Sequence, residues 1–272
     1  QGTIELSEPA EIPRVKAPGG AVIPEILQDE VVRRFAEAGV MIFDAVWPAA
    51  VISGLHDAYG AVYANYHHDR EFADALAVGD KRTMITITVD GPFNDPGLYA
   101  NPTVFPLISK LLGDDVILGS FVSVTSLPGS LDQEAHLDMP LLFEAERVSP
   151  ELPSYSLTLV IPLVDMNAMN GTTAFFPGSH RVIADEPPGS EPVAPDVPVG
   201  SALLFDARVW HGGTPNRSAA PRPVLYNTYQ RSWFRDTVNF LSQSPLVMDP
   251  AEWARIPDQH RFLFDWARPP QD

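Results

Sequence analysis

Twenty-eight prolines distributed over 272 residues restrict this chain to short elements of secondary structure. Proline has no backbone N–H and its ring blocks a helix interior, so each proline favours a turn, an element end or a sheet edge. The apolar residues between the prolines follow two periods. Helical spacing dominates before residue 115, whereas the alternation that is typical of strands dominates from residue 116 to residue 231.

The first part of the chain carries three helical patterns. The segment ILQDEVVRRFAEAGV (26–40) predicts a helix that ends at Gly39, and VMIFD (40–44) predicts a short strand after it. The last helical pattern, VFPLISKLLG (104–113), requires Pro106 to lie in the first helical turn. Between the first and the last pattern, a helix is predicted from Ala49 to about Tyr66. Its apolar face is expected to contain Val51, Leu55, Ala58 and Val62.

Six segments have the composition and alternation of strands, and glycines and prolines separate them. They are residues 83–88, 116–127, 155–165, 172–177, 201–211 and 223–231. Short strands of this kind indicate a barrel or a roll of two sheets. The proline-rich segment 185–200 interrupts the strands without ending their pattern, so it is interpreted as a surface insertion within one domain. The whole chain, 1–272, is therefore predicted to be a single domain, and residues 1–24 are predicted to form an extended N-terminal arm.

Composition narrows the possible partners and chemistry. The formal net charge of −17 disfavours binding to nucleic acid or to an anionic membrane. The chain has no cysteine, which removes disulfides, thiolate metal sites and cysteine nucleophiles and fits a cytoplasmic protein. No apolar run reaches the roughly 18 residues that a membrane span needs, and no signal peptide is predicted at the N-terminus. The sequence leaves the oligomeric state open.

The segment QEAHLDMP (133–140) places His136 and Asp138 two positions apart. On a strand this spacing directs both side chains to the same face, where buried polar groups need a partner such as a metal ion. A second histidine, His211, ends the strand pattern LLFDARVWH, and Arg222 follows 11 residues later. Two histidines and one carboxylate on a β scaffold match the facial triad of non-haem Fe(II) oxygenases.

Two other histidine motifs compete with this interpretation. His180, in PGSHR, is an alternative third ligand, although a histidine on a turn more often hydrogen-bonds nearby backbone. His211 is favoured because it directly follows an apolar strand. The segment YHHDR (66–70) also contains metal-binding residue types. Adjacent residues on a helix diverge by about 100°, so this segment is interpreted as a solvated helix end.

Three segments, in this order, resemble the phytanoyl-CoA dioxygenase family of Fe(II)- and 2-oxoglutarate-dependent oxygenases. They are LPGSLDQEAHLDMPLLF, NGTTAFFPGSHR and GSALLFDARVWHGGTPNRSAAPR, and the resemblance extends over roughly residues 25–235. It implies a mainly β protein with flanking helices, folded as a double-stranded β-helix, which is a cupin-like jelly roll. It also implies the cofactors Fe(II), 2-oxoglutarate and O2.

The resemblance further implies a role for individual residues. His136, Asp138 and His211 would bind iron, and Arg222 would pair with the distal carboxylate of 2-oxoglutarate, as its planar charged fork allows. In similar members, residues at the positions of Gln133 and Thr173 contact the cosubstrate. Arg82 is a further candidate for binding a cosubstrate carboxylate. One position departs from the family pattern: some members have a hydroxyl residue two positions after the distal histidine. Here that residue is Gly213, and Thr173, Thr214 or water would replace the hydroxyl.

The expected activity is oxidation of a C–H bond of a small, mostly apolar secondary metabolite by hydroxylation, desaturation or cyclisation. Apolar residues near the ligands in sequence are candidates for the substrate pocket, because such chemistry needs a dry cavity. They are Leu137, Met139, Phe143, Trp233 and Phe234.

Three alternatives remain open. The chain could hydroxylate acyl-CoA esters, as the family's name suggests, although the negative net charge disfavours a ligand with several phosphates. It could be a cupin-like metalloenzyme that does not use 2-oxoglutarate, which Arg222 argues against. It could also be a binding module without activity, which the intact set His136, Asp138 and His211 argues against.

Overall fold

A nine-stranded sheet dominates the computed structural model, which describes residues 4–6, 11–17, 19–64, 75–139, 141–143, 148–182 and 184–270. The order of its strands is β1-β2-β3-β9-β7-β11-β6-β5-β4, and every neighbouring pair is antiparallel except β2 and β3. The strands of this large sheet are β1 (Glu5–Leu6), β2 (Arg14–Lys16), β3 (Val40–Asp44), β4 (Ala75–Ala77), β5 (Arg82–Thr86), β6 (Ile117–Ser126), β7 (Ser156–Pro162), β9 (Ala202–Asp206) and β11 (Arg222–Gln230).

A small second sheet faces the large one. It consists of β8 (Thr173–Phe175) and β10 (His211–Gly213), which pair antiparallel. Phe175 of β8 packs in one cluster with Phe205 of β9 and Val224 of β11, so β8 lies against the large sheet. The two facing sheets confirm the expected double-stranded β-helix.

Residues alternate between the two faces of each central strand, and each face has its own core. Leu157, Leu159 and Ile161 of β7 point outward into a core that the helices cover, whereas Val160 points inward toward the small sheet. The covering helices are α1 (Glu25–Ala38), α2 (Ala49–Tyr63), α3 (Pro96–Tyr99), α4 (Phe105–Leu112) and α5 (Pro250–Arg255). The helices therefore lie on the outer face of the large sheet, and its inner face packs a second apolar core against the small sheet.

The predicted helices are present, with one correction. Gly39 ends α1 in the left-handed conformation with φ of 70°, and Pro106 lies in the first turn of α4, as predicted. The apolar face predicted for α2 was wrong, since Val51 and Val62 are exposed. The buried residues are instead Ile52, Leu55, Tyr59 and Tyr63. The Tyr59 hydroxyl reaches Thr125 Oγ1 of β6 at 2.9 Å, so this polar aromatic ring can be buried without an unpaired group.

The predicted strands also correspond to observed ones, but the segment 201–211 divides into β9 and β10. A turn separates them, in which Val209 N donates to Asp206 O. Asp206 and Arg208 form an ion pair in this turn and are 1% and 3% exposed. The turn carries the chain from the large sheet to the small one, which a single strand could not do.

The proline-rich segment and the arm add edges to this core. Within 185–200, Val193 and Val197 form single bridges with Phe175 and Met166. In the described part of the arm, β1 and β2 extend the edge of the large sheet next to β3. Over the described residues, no helix combines the length and the apolar character that crossing a bilayer requires. The assignment of residues 1–272 to one domain stays a prediction.

Substitution of Gly39 by alanine is expected to destabilise the fold. The left-handed backbone penalises a side chain, and an added Cβ would lie 2.5 Å from both His180 Nδ1 and Val209 Cγ2. We expect the free energy of unfolding, measured by urea denaturation, to fall by about 2–4 kcal/mol. Gly60→Ala is the control, because a Cβ there meets nothing within 4 Å inside α2 and should stabilise the helix. Equal stability of the two variants would contradict this explanation of Gly39.

Candidate metal centre

The segment 133–138 pairs with β10 through its backbone and so extends the small sheet by a third segment. His136 N donates to His211 O at 2.9 Å, and His211 N donates back to His136 O at 3.1 Å. Gln133 N donates to Gly213 O at one end, and Asp138 N donates to Ala207 O at the other. Directly opposed residues of an antiparallel pair share a face, and so do residues two apart. The backbone therefore brings His136, Asp138 and His211 onto one face.

The donor atoms of these three residues converge. Asp138 Oδ1 lies 3.4 Å from His211 Nε2 and 3.8 Å from His136 Nε2, and all three donor atoms lie within 4.8 Å of one another. His211 is buried, whereas His136 and Asp138 are half-buried and line the adjoining cavity. One ion could contact all three atoms while its remaining coordination positions face the cavity.

Backbone carbonyls fix the two imidazole rings. His136 Nδ1 lies 2.8 Å from Glu134 O, and His211 Nδ1 lies 2.9 Å from Val209 O. A carbonyl accepts a proton, so each Nδ1 is the protonated nitrogen and each Nε2 keeps its lone pair. The rings are thus oriented as metal-binding histidines usually are, with the second nitrogen held by the protein.

The charges of the three groups depend on one another. Burial lowers the pKa of His136, and the charge of His211 acts in the same direction. Burial opposes ionisation of Asp138, but His211 and His136 outweigh it and lower the pKa of this carboxyl. Burial likewise disfavours the charged form of His211, whereas Asp138 and the Val209 carbonyl raise its pKa. An ionised carboxylate thus lies between two imidazoles, and a cation is the ligand that this set favours.

The competing histidine His180 lies away from the donor set. His180 is buried behind β10, where its Nε2 lies 3.1 Å from Ala36 O at the end of α1. It is not part of the convergent donor set among the described residues. The segment YHHDR (66–70) lies outside the described residues.

The donor set opens into a cavity of about 270 Å³ between the two sheets. Its floor consists of inward-facing residues of the large sheet, and its other walls come from the small sheet, the segment 133–139 and residues 236–240. The floor residues are Leu76, Arg82, Met84, Ser120, Val122, Val124, Thr158, Arg222, Tyr226 and Thr228.

Two buried arginines lie at one end of the floor. Arg82 of β5 and Arg222 of β11 are both opposite Ser126 of β6, so they flank it in one cross-strand row. Arg82 Nη2 donates to Thr214 O at 2.9 Å, but its Nε and Nη1 are buried without an acceptor. The guanidinium of Arg222 forms no hydrogen bond or ion pair with any described residue, and its Nε is buried. Burial and the charge of Arg82 lower the pKa of Arg222 to about 10, which still leaves it charged at neutral pH.

Gly213 is explained by the position of Arg82. A Cβ on residue 213 would lie 2.9 Å from Arg82 Nε and 3.2 Å from Gln133 Oε1. The arginine therefore occupies the space that a larger side chain would need. Of the two hydroxyl residues expected to compensate, Thr173 lines the cavity. Thr214 instead uses its hydroxyl on the backbone of Thr172.

Gln133 also lines the cavity, and both ends of its amide have protein partners. Its Nε2 donates to Val78 O at 2.7 Å, and its Oε1 accepts from Gly213 N at 3.1 Å. These bonds hold β10 to the residues before β5. The predicted contact of Gln133 with a cosubstrate stays a prediction.

The predicted substrate residues divide into two groups. Leu137 and Met139 line the cavity. Phe143 and Trp233 are 49% and 63% exposed and do not line it, so their assignment is corrected. Phe234 is also corrected, because its ring packs on Tyr155 at 4.9 Å instead. The chain turns away from the sheet after β11, and sequence distance alone could not indicate this.

Several cavity residues were not found from the sequence. Tyr226 lies four residues after Arg222 on the same face of β11, so strand alternation could have identified it. Asp236, Asn239 and Phe240 form a wall after β11. Asn239 Nδ2 donates to Asp138 O at 2.9 Å, a long-range contact with no pattern in the sequence.

The fold is a double-stranded β-helix, and two histidines and one carboxylate converge where the small sheet borders the cavity. These features define the class of jelly-roll metalloproteins with a facial triad. The sequence pattern of the family described as phytanoyl-CoA dioxygenase (PhyH) matches residues 35–224. The chain therefore belongs to the phytanoyl-CoA dioxygenase family.

Fungal relatives show the same likeness over part of the chain. The Fe(II)/2-oxoglutarate-dependent dioxygenase nvfF of Aspergillus novofumigatus is 34% identical over 147 residues, which are 49% of this chain and 48% of the relative. The dioxygenase af480 of Aspergillus fumigatus is 26% identical over 153 residues, or 54% and 48% of the two chains. The chain spans about half the length of the curated relatives it matches.

Solved structures share the fold at lower identity. The non-heme alpha-ketoglutarate-dependent epimerase SnoN from nogalamycin biosynthesis has a TM-score of 0.61 and 18% identity, covering 82% of this chain and 89% of that one. EctD from S. alaskensis, solved with 2-oxoglutarate and 5-hydroxyectoine, has a TM-score of 0.56 and 20% identity, covering 81% and 87%. At these identities the likeness establishes the fold.

The donor geometry predicts which histidines bind metal. We expect the protein to take up one Fe(II) per chain under anaerobic conditions, measured by metal analysis after desalting. His136→Ala and His211→Ala should abolish uptake, because each removes one of three convergent donors. His180→Ala, and His56→Ala at the surface, should retain it. Uptake by the His211 variant together with loss in the His180 variant would show that the third ligand was chosen wrongly.

Proposed function

We propose that this protein is an Fe(II)- and 2-oxoglutarate-dependent dioxygenase that oxidises a C–H bond of a small, mostly apolar molecule. One observation carries the proposal. A single cavity has three convergent metal donors at its mouth and two buried arginines with unused donor groups in one row of its floor. A metal ion and a dicarboxylate are complementary to these two features.

The donor set fits iron. His136 and His211 would bind through Nε2 and Asp138 through a carboxylate oxygen, which gives two imidazoles and one hard anionic ligand. Three protein ligands leave coordination positions for a chelating cosubstrate and O2. The carbonyls of Glu134 and Val209 would keep both imidazoles in the tautomer that metal binding needs.

The arginine row fits 2-oxoglutarate. A buried guanidinium without an acceptor is unfavourable, so Arg222 favours an anion that forms charge-assisted hydrogen bonds with it. The distal carboxylate of 2-oxoglutarate would supply that anion, and Nε or Nη1 of Arg82 could bind the same group. Thr173 and Tyr226, whose side chains interact, lie in the same cavity. They would contact the cosubstrate between its two ends.

Bound iron, 2-oxoglutarate and O2 together supply an oxidant strong enough for an unactivated C–H bond. The residues of this chain orient the cosubstrate, exclude water and hold the substrate. Val122, Val124, Leu137 and Met139 provide apolar walls next to the donor set. The hydrogen bond from Asn239 Nδ2 to Asp138 O holds the cavity wall formed by residues 236–240 against the donor set.

The relatives support this proposal over the alternatives. The name of the nvfF relative specifies Fe(II) and 2-oxoglutarate, which favours a 2-oxoglutarate enzyme over a cupin-like enzyme without this cosubstrate. The complete donor set argues against a binding module without activity. Among the described cavity-lining residues, Arg82 and Arg222 are the only arginines or lysines, and both lie at the carboxylate end. No further cation there would hold the phosphates of an acyl-CoA ester.

The location of the protein and the class of its substrate are further parts of the proposal. We infer a cytoplasmic protein that acts on a small secondary metabolite such as a terpenoid, polyketide or alkaloid and does not bind nucleic acid. The net charge and the absence of cysteine support this inference.

Removal of the Arg222 guanidinium should weaken 2-oxoglutarate binding far more than iron binding. Loss of one partner of a buried charge pair typically costs about 2–5 kcal/mol, so Arg222→Leu should weaken binding by about 30- to several-thousand-fold. Calorimetric titration of the metal-loaded protein measures this change. Arg181→Leu, at an exposed position, is the matched control. A change below about threefold would indicate that Arg82 is the main anchor.

The reaction is expected to introduce oxygen rather than halogen. Asp138 occupies the coordination position that a halide would need, so the product formed in chloride buffer should carry no chlorine. Mass spectrometry of the product, together with succinate measured in the same reaction, decides this point. A chlorinated product from the unmodified protein would contradict the assignment of Asp138 as a ligand.

A further inference from the structure

A row of three hydroxyl groups crosses the floor of the cavity. Thr228 of β11 is directly opposite Ser120 of β6 on one side and Thr158 of β7 on the other. Directly opposed residues share a face of the sheet, and all three line the cavity. The exposed fractions of Thr228, Ser120 and Thr158 are 9%, 3% and 2%. We call Ser120, Thr158 and Thr228 the hydroxyl row.

The three side-chain hydroxyls form no hydrogen bond with any group in the described part of the chain. This distinguishes them from Ser123 and Thr125, which lie on the other face of β6 and are both bonded to the Tyr59 hydroxyl. The three residues line the cavity, and their oxygens are not among the enclosed side-chain atoms that lack a partner, so these hydroxyls open to the cavity. Hydroxyls that face a cavity and bond to no other side chain or backbone group are free to bind what enters it. A ligand that enters the cavity could provide the missing partners.

The position of the hydroxyl row separates it from the proposed 2-oxoglutarate anchor. Thr228 is six residues from Arg222 along β11, which is about 20 Å of extended strand. Phe205 of β9 is opposite Thr158, so it continues the row, and its ring lies 4.8 Å from the ring of His211. The hydroxyl row is therefore distant from the arginines. Only the ring of Phe205 separates it from His211, a proposed metal ligand.

We propose that the hydroxyl row is the part of the substrate site that binds an oxygen atom of the substrate. This proposal rests on the function proposed above. The ligand of the hydroxyl row is an uncharged carbon skeleton that carries a hydroxyl or carbonyl group, with the oxygen on the row and a C–H bond directed to the metal. Hydroxyl groups both donate and accept hydrogen bonds, so they match either group, and they supply no charge for a carboxylate or an ammonium. The carboxylate of Asp236, which lines the same cavity, already accepts from Val238 N, Asn239 N and Asn239 Nδ2.

Three compounds with one carbon skeleton test the proposal directly. The probes are p-menthane, menthol and menthone, titrated calorimetrically into the anaerobic protein loaded with Fe(II) and 2-oxoglutarate. We expect menthol or menthone to bind about tenfold more tightly than p-menthane, as one or two hydrogen bonds allow. In the double variant Thr158→Val and Thr228→Val the preference should fall below about threefold. Equal binding of the three probes, no binding of either oxygenated probe, or a preserved preference in the variant would overturn the proposal.

The melting temperature of the ligand-free protein provides a test that does not depend on the probes. If the hydroxyls form no hydrogen bond within the protein, the double valine variant should melt no lower than the unmodified protein, because valine has nearly the shape of threonine and no internal bond is lost. Thr125→Val is the matched control on the opposite face of β6, where loss of a bonded hydroxyl should lower the melting temperature and leave the probe preference unchanged. A melting temperature of the double variant that falls as it does in Thr125→Val contradicts the assignment, because it indicates that the row bonds within the protein.

The binding experiments distinguish a wrong assignment of the hydroxyl row from a wrong assignment of the function. If iron and 2-oxoglutarate bind but the probes show no oxygen preference, the hydroxyl row is wrongly assigned and the proposed function stands. If neither iron nor 2-oxoglutarate binds, the proposed function fails, and the assignment that rests on it fails with it. The melting temperature then shows whether the hydroxyls are unpaired.

Discussion

The antiparallel backbone pairing between residues 133–138 and β10 is the interaction on which the rest of the site depends. It places His136 directly opposite His211 and aligns Asp138 with both, and Gly213 within it leaves room for Arg82. The turn before β10 fixes the other end, because Ala207 O accepts from Asp138 N. The buried ion pair of Asp206 and Arg208 holds that turn, and loss of one partner from such a pair typically costs about 3–5 kcal/mol.

The inner face of the large sheet divides the cavity by chemistry. Arg82 and Arg222 give one row of the floor a positive charge, although the formal net charge of the protein is −17. The positive electrostatic potential is therefore confined to this row. Apolar residues follow, among them Val122 and Val124, and the hydroxyl row comes last. Because successive inward residues of a strand are about 7 Å apart, one strand such as β11 can present a cation, a phenol and a hydroxyl to three parts of one cavity.

The sequence predicted those features that depend on local patterns. Strand alternation predicted a barrel or a roll of two sheets, and the stop at Gly39 placed the end of α1. The double-stranded β-helix and the roles of His136, Asp138, His211 and Arg222 were implied by the family resemblance. Contacts between distant segments were not predictable. The bond from Asn239 to Asp138 joins residues 101 positions apart, and the exposure of Trp233 follows from a change of chain direction after β11. The face of α2 was misassigned because the tyrosines that it buries have hydroxyl partners elsewhere in the fold, such as Thr125 of β6 for Tyr59.

The central claim is that the three donors and the arginine row form one site for iron and 2-oxoglutarate together. Anaerobic addition of 2-oxoglutarate to the Fe(II)-loaded protein, followed by visible absorption, tests it most directly, because chelation of iron by a 2-oxo acid produces a charge-transfer band. The claim predicts a band that saturates at one 2-oxoglutarate per chain and is absent without iron. Tight binding of 2-oxoglutarate without such a band, or equal binding with and without iron, would contradict it.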